Sequence, residues 1–141
     1  MADHLGPGGY NSNQLAIDVM ILELNDIQYE RTELSEAKQL MHKHASYEVA
    51  EIEARYNPEI QYIRNEMRNQ GDLTNSEYFE LMADLEELET MRDNAKTVVE
   101  KEENDKESEY EQQDTMLENM FNQLTGDKEG LENANDENIK R

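Results

Sequence analysis

The sequence predicts an all-α fold: a long antiparallel helical hairpin of coiled-coil type, with a short third helix near the turn. Three observations carry that prediction. Apolar residues recur at helical spacing through two long stretches. A short break near 69–76 separates them. Only 35% of the 141 residues are hydrophobic while 33% are charged, with two Phe and no Trp, so the chain has material to bury a seam but little for a broad core.

Residues 1–12 (MADHLGPGGYNS) read as a flexible leader, because Gly6, Pro7, Gly8 and Gly9 oppose any helix. Ser12 or Asn13 is suited to cap the first helix. That helix is expected from about Asn13 to Asn57. Met20, Ile27, Leu34 and Met41 repeat every seven residues. A companion row starts at Leu24, degrades to Arg31 and Lys38, and recovers at Ala45 and Ile52. The beginning of this helix is apolar on more than one face, with Leu15, Ile17, Val19, Met20, Ile21, Leu22 and Leu24. A two-stranded seam does not use all of them, so this end is expected to meet further helices.

Asn57-Pro58 predicts a kink or break, since Pro58 lacks an N–H and disfavours helical geometry at the preceding residue. A short third helix is expected from Glu59 to about Gln70, ended by Gly71-Asp72. Thr74-Asn75-Ser76 is a cluster of capping residues for the second long helix: either Ser76 caps it, or Thr74 does, in a capping-box pattern with Glu77. That helix is expected to run from about Asn75 to Leu124 on the face Tyr78, Leu81, Met82, Leu85, Leu88, Ala95 and Val98 or Val99. The span Glu100–Glu109 holds no apolar residue and is expected to face solvent or a basic neighbour. The stripe returns with Tyr110, Gln113, Leu117, Met120 and Leu124, with Phe121 beside it. Thr125-Gly126-Asp127 reads as a stop, leaving 125–141 as an acidic flexible tail and 13–124 as the helical-hairpin domain. Rods of roughly 45 and 50 residues would be about 65–75 Å long and so match when folded back on each other. That pairing sets the apolar start of the first beside the apolar end of the second.

Charge narrows the function classes. The net charge is −21, from 34 acidic and 13 basic residues; residues 1–60 hold 11 acidic and four basic groups, residues 61–141 hold 23 and nine. Phosphate binding needs clustered Lys and Arg, so nucleic acid is not an expected partner. Membrane insertion is not expected either: the most apolar run, Leu15–Leu24, is short and carries Asp18 and Glu23. That run is preceded by no basic segment of the kind that opens a signal peptide. The reading is a cytoplasmic protein, or one exported without a cleavable signal. No cysteine is present, which excludes disulfides, thiolate metal sites and thiol catalysis.

Catalytic chemistry has little to stand on. His42 and His44 lie two apart, about 200° around a helix, and cannot share a metal ion. His44, beside Ala45, is the one nearer the expected seam. No Glu-x-x-His pair, calcium loop, phosphate-binding glycine loop or nucleophile elbow occurs. No catalytic residue, cofactor or metal ligand is therefore assigned. The methionines near the seam, Met20, Met41, Met67, Met82, Met91, Met116 and Met120, suit core filling or an adaptable partner surface. The candidate site is an interface for self-association or for another helical protein: Leu15, Ile17, Met20, Ile21, Leu24, Ile27, Leu117, Met120, Phe121 and Leu124.

The polar leader Met1–Ser12, the apolar helix start Leu15–Leu24, the matching segment Met116–Leu124 and the absence of Cys and Trp together resemble the helical-hairpin filament subunits of type III secretion and flagellar-type export systems. The chain departs from that pattern in ending on Asp136-Glu-Asn-Ile-Lys-Arg141, where such subunits end apolar. The resemblance implies a non-enzymatic structural protein that self-associates into a filament or secretion appendage; helices of virions or their scaffolds share the layout. The competing expectation is an acidic adaptor or chaperone for a basic or amphipathic client.

Overall fold

The computed structural model describes residues 12–69, 71 and 73–140, with side chains up to residue 136. The leader expected at 1–12 lies outside them except for Ser12. Two α-helices make up the fold, α1 (Ser12–Arg68) and α2 (Asn75–Lys140), and no strand occurs among the described residues. They pack against each other as a hairpin. The chain divides into two units, Met1–Ala37 with Glu109–Arg141, and Lys38–Ser108.

In the first unit the covered side chains of α1 include a row of Ile17, Met20, Leu24, Ile27, Arg31 and Leu34, in alternating steps of three and four. Those of α2 include Tyr110, Asp114, Leu117, Phe121, Leu124, Lys128, Leu131 and Asn135, with the same alternation. This is heptad packing. Ile17 and Ile27 are its buried core. The helices are antiparallel: Glu30–Ala37 share one groove with Gln113–Met120, while Ile21–Arg31, earlier on α1, share another with Phe121 and Lys128, later on α2.

The second unit contains the turn. Its cross-helix pairs run Lys38–Glu107, His42–Glu103, Lys96–Glu53 and Arg64–Glu89, so residues ascend on α1 as they descend on α2. Here α1 changes period. From Met41 the covered positions are Ala45, Val49, Ile52, Tyr56, Ile60, Ile63 and Met67, stepping four, four, three. That is an eleven-residue repeat, about 3.67 residues per turn, instead of the heptad's 3.5. Across from its start, α2 also shifts phase: Ala95, Val99, Glu103 and Glu107 follow one another in steps of four. The buried core of this unit is Ala45, Ile60, Ile63 and Val99.

Three expectations need correction. The break at Asn57-Pro58 is absent, and so is a separate third helix: α1 runs unbroken through Pro58 to Arg68. Pro58 forfeits one backbone bond, at a cost of about 3 kcal/mol. The following turn buries Ile60 and Ile63, each worth roughly 1.5–3 kcal/mol, and Asn57 accepts a hydrogen bond from Arg92 Nη1 across the seam at 2.9 Å. Together they hold the helix past the proline. The stop at Thr125–Asp127 is also absent, as α2 continues to Lys140. Thr125 Oγ1 donates back to the Phe121 carbonyl at 2.8 Å instead of capping a new segment, and Lys128 pairs with Glu132 one turn on at 2.9 Å. Leu131, half-buried, extends the apolar row.

The third concerns the histidines. His42, not His44, lies at the seam: it stands beside Met41 of the covered row and its ring reaches Glu103 and Glu107 on α2. His44 is 72% exposed and pairs locally with Glu48. The turn itself agrees with its sequence signals. Asn69 N–H donates to the Glu66 carbonyl, tightening the last turn of α1. Thr74 Oγ1 accepts from the Glu77 backbone N–H at 3.2 Å, the capping half of the expected box.

Candidate interaction surfaces

The first unit carries the candidate interface, and its seam is partly ionic. Where the apolar row of α1 gives way to Arg31, α2 offers Asp114 in place of an apolar residue. The guanidinium forms two hydrogen bonds to that carboxylate, Nε to Oδ1 at 2.8 Å and Nη2 to Oδ2 at 3.1 Å, with Glu118 at 3.8 Å. The bond to Asp114 holds the Arg31 pKa above its already high ordinary value, against a smaller effect of burial. A planar fork on a carboxylate demands one geometry, so this pair fixes rotation and register of the two helices.

The second unit repeats the device at the next positions. Lys38 Nζ lies 3.4 Å from Glu107, and His42 Nδ1 lies 2.7 Å from Glu103 with its Nε2 3.7 Å from Glu107. Glu103 and Glu107 therefore do not belong to a purely solvated acidic stretch: they answer the basic defects of α1 across the seam. The periodicity of α1 alone marks Arg31 and Lys38 as defects. Their partners become visible only when the antiparallel register is known.

The ten interface candidates separate by exposure. Ile17 and Ile27 are taken up by the hairpin's own seam. Met20, Leu24, Leu117, Phe121 and Leu124 line that seam half-buried. Leu15, Ile21 and Met120 are exposed, at 57%, 40% and 51%. The structure adds Val19, Leu22, Tyr29 and Met116, all exposed. Leu15, Leu22 and Tyr29 are spaced by seven and lie diametrically opposite the Ile17–Ile27 seam; Val19 lies beside them. An apolar stripe of Leu15, Val19 and Leu22 thus lies on the back of the first turns of α1, before Asp26 enters the same face. The excess of Leu and Val outside the heptad row is the sequence signal for it.

Two grooves flank the seam of this unit. One is lined by Ile21, Leu24, Gln28, Arg31, Phe121 and Lys128, a mixture of apolar and charged groups. The other, of about 460 Å³, has Leu34, Ala37, Met116, Leu117 and Met120 for its floor and Glu30 and Glu33 on its wall. In the second unit a more polar groove lies around Pro58, lined by Ala54, Asn57, Ile60, Arg64 and Arg92 among others. No cluster of three or more His, Asp or Glu suited to a metal ion occurs among the described residues. No described helix is long and apolar enough to cross a membrane. Comparison with known proteins finds no matching family model, no matching curated protein and no matching solved structure.

Proposed function

We propose that this chain is a non-enzymatic assembly protein, a helical subunit that self-associates into a filament, a secretion appendage or a virion-like structure. One observation carries the reading: the stripe of Leu15, Val19 and Leu22 on the back of α1, left open by the chain's own pairing, with Leu22 64% exposed. Single exposed leucines are ordinary, but apolar residues aligned along one helix face form a docking edge. A paired helix with apolar residues on its seam and its back is the arrangement of an inner member of a larger bundle. The slender core points the same way, since only six hydrophobic residues are buried among those described. Small scaffolds with so little core commonly gain stability by oligomerising.

The test is light scattering across a concentration series, combined with negative-stain imaging. The chain is expected to give masses at multiples of 16.5 kDa or extended particles. The double substitution Leu15→Glu/Leu22→Glu is expected to return it to the monomer with its helical circular dichroism intact, because both side chains are exposed. A wild-type monomer at every concentration would sink the proposal.

A further inference from the structure

The groove beside the seam of the first unit has a different chemistry from the back of α1. Its lining is mainly apolar, Leu34, Ala37, Met116, Leu117 and Met120, with Gln113 beside them and the carboxylates Glu30 and Glu33. Met116 is 65% exposed, so the described residues leave most of it open. Small Ala37 opens the floor, and the flexible thioethers of Met116 and Met120 can mould to an inserted side chain. The α1 side, Glu30 to Ala37, is two helical turns long, about 10 Å. That is the reach of residues i, i+3 or i+4, and i+7 of a docked helix.

Charge selects the occupant. Glu30 and Glu33 stand on the wall, and the stretches that make up this unit carry 16 acidic residues against four basic ones. Of those four, Arg31 is engaged by Asp114 and Lys128 by Glu132. A second copy of this chain offering the back of α1 would be repelled. From residue 12 to 30 that helix carries Asp18, Glu23, Asp26 and Glu30 and no Lys or Arg.

We infer that this groove is a docking site for an amphipathic α-helix of another protein, one that flanks an apolar stripe with Lys or Arg. The apolar stripe fills the Met-lined floor, and the flanking cations meet Glu30 and Glu33. The inference stands apart from self-association, since the groove and the Leu15–Leu22 stripe share no residue.

The probe is a synthetic helix of about 18 residues, long enough to fold on contact, with Leu on one face and Lys on its flanks. A counterpart replaces every Lys by Glu. Binding is followed on the full chain carrying carbon-13-labelled methionine methyl groups. The Lys peptide is expected to shift Met116 and Met120 saturably while Met82 and Met91 stay in place. Glu30→Lys/Glu33→Lys, both at exposed positions, is expected to weaken it about tenfold or more and to let the Glu peptide bind, with helicity unchanged. Equal binding of both peptides by the wild type, or equal movement of all methionines, overturns the inference. So do shifts of Met116 and Met120 with protein concentration alone, which would place a second copy in the groove. Scattering reads self-association separately, so failure of one proposal does not disguise failure of the other.

Discussion

Tyr29 and Tyr62 show how much an exposed side chain can owe to its helical neighbour. Each phenol bonds the carboxylate four residues on, Glu33 and Glu66, and that bond, reinforced by the carboxylate's charge, raises both pKa values above the ordinary value near 10. The raised pKa belongs to the folded helix. The contribution is therefore complete below pH ~10 and fades as pH climbs through the raised values. Ultraviolet titration is expected to show two tyrosines ionising late, and Glu33→Gln/Glu66→Gln is expected to bring their ionisation earlier. Unchanged titration in the double variant would show that the carboxylates do not set it. The seam charges obey a stricter logic. Arg31 is the more covered partner of its pair with Asp114, and Glu118 stands close enough to meet part of its charge if Asp114 is lost, so the pair contributes more through register than through bulk stability.

At the level of the helix, α2 carries two glycines where a helix former would fit. An added Cβ at Gly126 or Gly130 meets nothing within 4 Å. Ala at either position is therefore expected to stabilise the end of α2, each by about 0.5–1 kcal/mol. Thermal melts followed by circular dichroism check this, and a loss of stability would mean that the helix end is not formed there. These glycines also mark the limit of what the residues alone reveal. The two helices, the apolar rows through Leu34 and from Leu117, and the Thr74 cap are all legible in spacing and capping chemistry. Pro58 and Thr125-Gly126-Asp127 are not, because their local preference is for a break. The side chains that override it, Ile60 and Ile63 in one case and Leu131 in the other, act through burial against the opposite helix. The placement of His42 was hidden for a related reason. What holds it at the seam is its pairing with Glu103 and Glu107 on α2, which the spacing of α1 alone does not show. Of the interface candidates, Leu15, Ile21 and Met120 keep exposed surface, while Ile17 and Ile27 are spent inside; spacing of seven cannot separate those two fates.

For the molecule as a whole, charge opposes both folding and assembly. A net charge of −21 repels itself within one chain and between chains. Salt screens such repulsion over about 10 Å at 0.1 M. The thermal midpoint and the scattering mass are both expected to rise as sodium chloride is added. A midpoint that falls instead would show that cross-helix pairs such as Lys38–Glu107 and Lys96–Glu53 outweigh the general repulsion. The same excess of acid that hinders identical copies favours a cationic partner. If both proposals hold, added salt is expected to favour self-association and to weaken the cationic helix.

The side-by-side rows of the first unit also limit how this chain can gain or lose residues. Deleting one residue of α2 between Asp114 and Phe121 would swing everything beyond it by about 100°, carrying Phe121 off the seam. A loss of seven from one helix alone would set Arg31 against the wrong neighbour. Only excisions of whole heptads, made on both helices at the same level, would leave every remaining rung with its mate. Variation in length at this end should therefore come in coupled multiples, like links removed from both rails of a ladder at once.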